Sequence, residues 1–225
     1  KGLIEALGKD GVEALPGKYA EEAVIIKSQV SVAELEAFRN GLFQVQDEAS
    51  MLPALALAPQ PGEKVLDACS APGGKATHMA QLMQNRGLIT AMDIHDHKLR
   101  LVEEAAARLG INIIRTELHD AAVPVPGHEG TYDRVLLDAP CSGLGIIRRK
   151  PDIKWAKESR DIGSITALQR RLMDSVSKAV RPGGVLVYST CTLLPEENEC
   201  IVRDFLDGND EFYEDDIAPF LPPGL

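Results

Sequence analysis

From about residue 45 onward the chain alternates short apolar runs with longer amphipathic stretches. This is the pattern of strands buried on both faces and joined by covering helices. Lys64–Ala68, Leu88–Met92, Ile111–Thr116, Tyr132–Leu137 and Gly184–Ser189 are predicted strands. Lys75–Gln84, His95–Leu109 and Ile165–Val180 are predicted helices, and in the second of them Leu99, Val102, Ala105, Ala106 and Leu109 share one face. Arg181-Pro-Gly-Gly184 reads as a turn that returns the chain to the sheet. The order predicts an α/β fold with a mostly parallel sheet and helices on both faces. Ligands of such a sheet sit beyond the carboxyl ends of its strands.

Residues 1–44 follow another pattern. They hold one strand-like apolar run, Val24–Ile26, too little for a core of their own. Ser31-Val-Ala-Glu34 reads as a capping box opening a short helix, with Gly41 at its C-terminal cap. Because the first residue is Lys1, this segment is expected to be the tail of an upstream domain plus a linker. The second unit then runs from 45 to 225.

The composition narrows the class. With 225 residues and 44% hydrophobic content, the chain can bury one good-sized core. The uncharged run from Met51 to Gly62 carries three prolines and is far shorter than the roughly twenty residues a bilayer requires. No secretory leader is apparent. Cys69, Cys141, Cys191 and Cys200 show no metal-ligand spacing, and a cytoplasmic protein with reduced thiols and no metal is expected. His78, His95, His97, His119 and His128 also lack partners at metal spacing and read as solvent or packing residues. The net charge of −10 argues at first against a nucleic-acid partner. Yet ten acidic residues against Arg203 alone lie between Glu196 and Asp216. Arg148, Arg149, Lys150, Lys154, Lys157 and Arg160 instead form a basic stretch beside Asp152 and Glu158. RNA, if bound, is expected there, with Arg148 and Arg149 as contacts; the bland reading of the same run is a solvated face.

Two clusters of candidate chemistry follow predicted strand ends. Asp67-Ala-Cys69-Ser70-Ala71-Pro72-Gly73-Gly74-Lys75 leads from the first strand into a helix, where Gly73 and Gly74 let a ligand approach the backbone at a helix N-terminus. Asp93 ends the second strand nineteen residues after Gly74, a position from which a carboxylate can hold both hydroxyls of a ribose. The loop has neither the dinucleotide G-x-G-x-x-G pattern nor a Walker ending, so S-adenosylmethionine (SAM), a nucleoside without phosphate, is the expected cofactor. Asp120 is placed to contact the adenine edge, with a plain loop role as its alternative. Each feature alone has a structural reading; their joint spacing favours the site.

The second cluster is Asp138-Ala-Pro-Cys141-Ser-Gly143 after the fourth strand and Ser189-Thr-Cys191-Thr192 after the fifth. A lone buried cysteine is usually an inert hydrophobe. Two of them at neighbouring strand ends suit addition to a pyrimidine. Carbon 5 of cytosine takes a methyl from SAM only after a thiolate adds to carbon 6. A thiol with a pKa of about 8.5 needs help to ionise, for which a nearby cation would serve. Asp138 at cytosine N3 would make carbon 6 more electrophilic, and a second group must release the enzyme, a role open to Cys141.

The blocks Asp67–Lys75, Asp138–Gly143 and Ser189–Thr192 resemble the signatures of the Nop2/Sun RNA cytosine-C5 methyltransferase family. Val45-Gln-Asp-Glu-Ala-Ser50 and Pro195-Glu-Glu-Asn-Glu199 resemble its flanking blocks, and the likeness covers roughly residues 44–206. Gly145-Ile-Ile-Arg-Arg-Lys-Pro-Asp-Ile-Lys-Trp155 is similar to the bacterial Sun/RsmB branch, which modifies small-subunit (16S) ribosomal RNA. The resemblance implies a Rossmann-like SAM-dependent methyltransferase fold, with Cys191 as nucleophile and Cys141 assisting product release. It further implies that Cys69 to Lys75, Asp93, Asp120 and Asp138 hold SAM. By the same resemblance, residues 1–44 would end an RRM-like segment with a NusB-like domain upstream, and the chain would stop before the final strands that close the sheet. A monomer is expected. An amino-group methyltransferase, a tRNA-directed enzyme and a catalytically silent SAM- and RNA-binding module are the alternatives. Against the first, the fourth strand ends in Asp-Ala-Pro-Cys, with no aromatic residue to stack on a base.

Overall fold

The computed structural model of the chain describes residues 2–147 and 162–222. Five strands form one parallel sheet: β3 (Lys64–Asp67), β4 (Leu88–Asp93), β5 (Ile114–Leu118), β6 (Tyr132–Asp138) and β7 (Val180–Ser189), in the spatial order β5-β4-β3-β6-β7. Helices α3 (Glu48–Leu57) and α4 (Gly74–Leu82) cover one face, where Val65, Ile89 and Leu136 meet Ala54, Leu57, Met79 and Met83. On the same side α5 (Asp96–Arg108) packs along α4, β4 and β5. Helices α6 (Ile162–Val176) and α7 (Glu199–Asp207) cover the other face, where Leu66, Val135 and Leu137 meet Leu172, Met173, Ile201 and Phe205. Successive residues such as Leu136 and Leu137 point to opposite cores and are both fully buried, which explains why the strands read as continuous apolar runs. Each such side chain contributes roughly 2 kcal/mol from burial.

The chain builds outward from β3 through β4 to β5, then crosses back to place β6 on the other side of β3. The carboxyl ends of β3 and β6 therefore flank the point where strand order reverses, the crevice in which open α/β sheets bind ligands.

Local differences from the sequence expectations have physical causes. The third strand begins at Ile114 rather than Ile111, because Asn112 N is taken up by the Asn85 side chain (3.0 Å) before the ladder starts. The sixth helix ends at Val176, and a 3-10 turn, Ser177–Ala179, leads directly into β7. Arg181-Pro-Gly-Gly184 is a bulge within that strand rather than a turn before it: Tyr132 pairs with Val180 and Arg134 already with Val185.

The N-terminal segment is more structured than its pattern implies. Helix α1 (Gly2–Lys9), the antiparallel pair β1 (Ala14–Pro16) and β2 (Val24–Ile26), and the short α2 (Glu36–Arg39) enclose a small core around Leu7, Val12, Leu35 and Ala37. The expectation of no core there is corrected, since residues as far apart as Leu7 and Ala37 assemble what no single run could. The Ser31 capping box does not form: Ser31 precedes a 3-10 turn, Val32–Glu34, and makes no side-chain cap hydrogen bond. Gly41 does close α2. Its positive φ (71°) lets Gly41 N and Leu42 N bond Phe38 O and Ala37 O, both at 3.0 Å. Arg108 of α5 fastens the segment to the sheet, donating to Phe38 O and Phe43 O (2.9 Å each) with its guanidinium over the Phe38 ring. Glu22 pairs with the buried His78 of α4 at 2.7 Å.

Candidate active site

All five loops that leave the carboxyl ends of β3 to β7 carry residues singled out from the sequence. The loop after β3 is held by its own backbone: Ala68 N donates to Leu136 O on β6 (2.9 Å) and Ser70 N to Met92 O on β4 (2.8 Å). Gly73 caps α4 with φ 98°, and a Cβ there would lie 3.1 Å from the Val102 backbone of α5. The loop is thus pressed between two helices with its amides at a helix N-terminus. Beneath it Asp67 is fully buried; burial raises its carboxyl to about 7. Neither Asp67 oxygen nor Ser70 Oγ has a hydrogen-bond partner among the described residues. Burial likewise pushes the Cys69 thiol up, so it is no nucleophile.

Asp93 ends β4, and its Oδ1 accepts from His95 N (2.9 Å), which fixes the carboxylate at the entry to α5. Asp120 follows β5 and accepts from Ala122 N (2.9 Å), a turn that also sets it on the same edge of the sheet. The glycine cradle, the buried polar groups without partners and the carboxylate at the next strand end suit a nucleoside with hydroxyls to bind. These residues fit SAM.

The thiols lie one crevice wall away. Asp138 and Ser189 are register partners on β6 and β7, so Cys141 and Cys191 leave adjacent strands nearly in step. Their sulfurs are 3.2 Å apart, and Cys191 N donates to Cys141 Sγ at 3.3 Å. Cys191 is exposed, Cys141 partly buried. The hydrogen-bonded contact with Cys141 lowers the Cys191 pKa to about 7, aided by the Lys75 charge and opposed by burial and Asp138. The same hydrogen bond, with burial, raises Cys141. The contact therefore favours ionisation of Cys191 over that of Cys141. The cation near Cys191 is Lys75, which the sequence placed only in the cofactor loop. Its Nζ meets Asp138 Oδ2 at 2.6 Å, while Ser189 Oγ donates to Asp138 Oδ1 at 2.8 Å.

Behind both cysteine loops stands a residue that sequence reasoning missed. Glu197 reads as one of the ten acidic residues between Glu196 and Asp216, yet it is fully buried. Its Oε2 accepts from Ser142 N (2.8 Å) and Gln169 Nε2 (3.1 Å), and Gln169 Nε2 also donates to Pro140 O (2.9 Å). Ser142 and Thr192 hydroxyls meet at 2.8 Å, Gly145 N donates to Cys191 O (3.0 Å), and Asn198 Nδ2 donates to Thr192 O (3.2 Å). Glu197 itself was marked in the sequence only by the Pro195–Glu199 block.

Arg148, Arg149 and Trp155 lie outside the described residues. Among the described residues no group of His, Cys, Asp and Glu is arranged to hold a metal, and no helix is long and apolar enough to cross a membrane.

The ionisation of Cys191 is directly measurable. Its alkylation by iodoacetamide should rise with pH to a plateau, with a midpoint near 7, because the thiolate reacts and the thiol does not. In a Cys141→Ala variant the largest stabilising interaction is gone, and the midpoint should move upward toward the ordinary value of about 8.5. An unmoved midpoint would show that Cys141 does not hold the anion.

Comparisons with known proteins place this arrangement. The family model described as 16S rRNA methyltransferase RsmB/F matches residues 54–219. A probable ribosomal RNA small subunit methyltransferase B of Bacillus subtilis is 43% identical over 215 residues, 95% of this chain and 48% of that protein. The ribosomal RNA small subunit methyltransferase B of Vibrio cholerae is 39% identical over 202 residues, 89% of this chain and 46% of that protein. The chain thus spans about half the length of the curated relatives it matches. Among solved structures, a methyltransferase homolog protein from Pyrococcus horikoshii superposes with a TM-score of 0.75 at 36% identity, over 93% of this chain and 66% of that one. NSun6 from Pyrococcus horikoshii, solved with the SAM analogue SFG, superposes with a TM-score of 0.69 at 37% identity, over 83% of this chain and 48% of that one. The parallel sheet is therefore the Rossmann-like fold of SAM-dependent methyltransferases, and the chain belongs to the RsmB/F family of 16S rRNA methyltransferases.

Proposed function

We propose that this chain is the catalytic part of an enzyme that methylates carbon 5 of a cytosine in 16S ribosomal RNA through a covalent bond between Cys191 and the base. The observation that carries the reading is the thiol pair at adjacent strand ends, its sulfurs 3.2 Å apart, beside the Lys75–Asp138 ion pair. Residues 45–225 would form the catalytic domain, and residues 1–44 the end of an RNA-binding segment docked on it. Arg148 and Arg149 remain the proposed RNA contacts.

SAM, when bound by the loop from Cys69 to Lys75 with Asp93 and Asp120, supplies an electrophilic methyl group. The chain's residues prepare the base. The target cytosine leaves its stack, which costs a few kcal/mol unless the RNA is already open. Asp138, oriented by Lys75 and Ser189, faces the N3 edge and passes to N3 a proton drawn from the Lys75 ammonium, which makes carbon 6 electrophilic. Cys191 adds to carbon 6, which makes carbon 5 the nucleophile. Once Cys191 is bonded to carbon it is no longer an anion, and the main cause that keeps the proton on Cys141 disappears. With the methyl on carbon 5, Cys141 gives its own proton to water and takes the carbon 5 proton; the electrons of that C–H bond re-form the carbon 5–carbon 6 double bond, and the carbon 6–sulfur bond breaks to release Cys191 as thiolate.

Loss of the carbon 5 hydrogen distinguishes this reaction from methylation at the exocyclic nitrogen. With 16S rRNA carrying tritium at cytosine carbon 5, the full-length protein and SAM should release tritium to water in step with methyl incorporation. Methyl transfer without tritium release would exclude carbon 5, and SAM binding without either would mark the protein as a silent module.

A further inference from the structure

We propose that Cys141 and Cys191 are also an oxidisable dithiol, a modification site at which a hydroperoxide closes a reversible disulfide and removes the nucleophile. The argument rests on sulfur geometry and goes beyond the methyl-transfer reading. A disulfide needs its sulfurs at about 2.04 Å, and the two sulfurs already stand at 3.2 Å in one hydrogen-bonded contact. Cys141 Sγ also accepts from the Cys191 backbone amide at 3.3 Å, so its side chain leans on the residue it would join. The loops that carry them leave register-paired strands, and Gly145 N to Cys191 O holds one loop against the other. Closure requires the sulfurs to approach by roughly 1 Å, within reach of rotamer adjustment.

Reactivity matches position. Cys191 is exposed and readily ionised, the profile of a thiol that peroxides attack first. Its thiolate takes one oxygen from the hydroperoxide, forming sulfenic acid and releasing the reduced alcohol or, from hydrogen peroxide, hydroxide. The Cys141 thiol then attacks that sulfur, the S–O bond breaks, and water leaves as the S–S bond forms. Two thiols are oxidised, one peroxide is reduced, and a dithiol reductant reverses the step. Cys141 thereby intercepts the sulfenic acid before it passes to the irreversible sulfinic state. Cys69 and Cys200 have no thiol neighbour among the described residues: Cys69 packs on the core, and Cys200 lies on α7 near Arg203.

The test is to expose the full-length protein to stoichiometric hydrogen peroxide, block remaining thiols, digest and read the peptides by mass spectrometry. Expected is the loss of two alkylatable thiols and a cross-linked pair of peptides carrying Cys141 and Cys191, two hydrogens lighter than their sum and separated by dithiothreitol. In Cys141→Ser, Cys191 should pass to sulfinic acid that dithiothreitol does not recover, while Cys200→Ser should leave the cross-link intact. Sulfinic acid at Cys191 in the unaltered protein with Cys141 still alkylatable, or a link to Cys69, Cys200 or a second molecule, would overturn the inference. A missing cross-link alongside tritium release would sink this inference and spare the methylation reading.

Discussion

Changing Cys141 to alanine is expected to leave the protein joined to its RNA in a band that survives denaturation, and adding Cys191→Ala is expected to remove that band completely. Both follow from the division of labour between thiols 3.2 Å apart. In the proposed reaction Cys191 is the group that adds to carbon 6, and in the variant it should still do so at a pH above its raised pKa. Without Cys141 the carbon 5 proton has no nearby acceptor, so the methylated adduct forms and stalls. Cys191→Ala alone should lower methyl transfer by roughly a thousandfold or more, since residues that act as one covalent unit lose most of the acceleration when the nucleophile goes. The measurement is a denaturing gel of the full-length protein with SAM and labelled 16S rRNA. Should Cys141→Ala turn over freely, or should an adduct persist in the double variant, the roles given to the sulfurs are wrong.

The second large effect lies behind the loops. Glu197→Ala should cost about 3 kcal/mol of stability, because a buried carboxylate that receives two donors is removed from a site that water does not reach. For a chain of this size that is a fall of roughly 10 °C in unfolding midpoint. The variant should also blunt Cys191 alkylation, since Ser142 and Gln169 are what hold the Cys141 loop against its neighbour. Glu197→Gln keeps an acceptor for those donors and should lose about 1 kcal/mol. Thermal unfolding of the two variants decides it: equal stability of Glu197→Ala and the parent would reduce Glu197 to a bystander.

Much of this could be read along the chain because the signals are local. Strands buried on both faces must be apolar throughout, and helices laid on them must repeat their apolar face, so the order of elements from residue 45 was legible. Glycines at a strand-to-helix turn and an aspartate at the next strand end are likewise local statements, and each lies where it was expected, on the carboxyl edge of the sheet. The family resemblance rested on such blocks. Residues 1–44 were misjudged for the opposite reason, since Leu7, Val12, Leu35 and Ala37 make a core only after the segment folds on itself.

Only the tertiary structure decided how the residues act on one another. Strand order, with β3 central and β6 placed beside it, brings Lys75 to Asp138 across 63 positions and Cys141 to Cys191 across 50. Which thiol ionises depends on that contact, because a pKa answers to the charges and hydrogen bonds within a few ångströms and not to sequence neighbours. Glu197 shows the same limit from the other side: by composition it is one of ten acidic residues in a run, and its burial 55 positions from Ser142 follows from its contacts with Gln169 of α6 and the Cys141 loop. Local pattern set the elements and the chemistry available at their ends; register and burial, which depend on the packing of distant segments, set which of those groups meet, which thiol ionises more readily and which side chains support the loops.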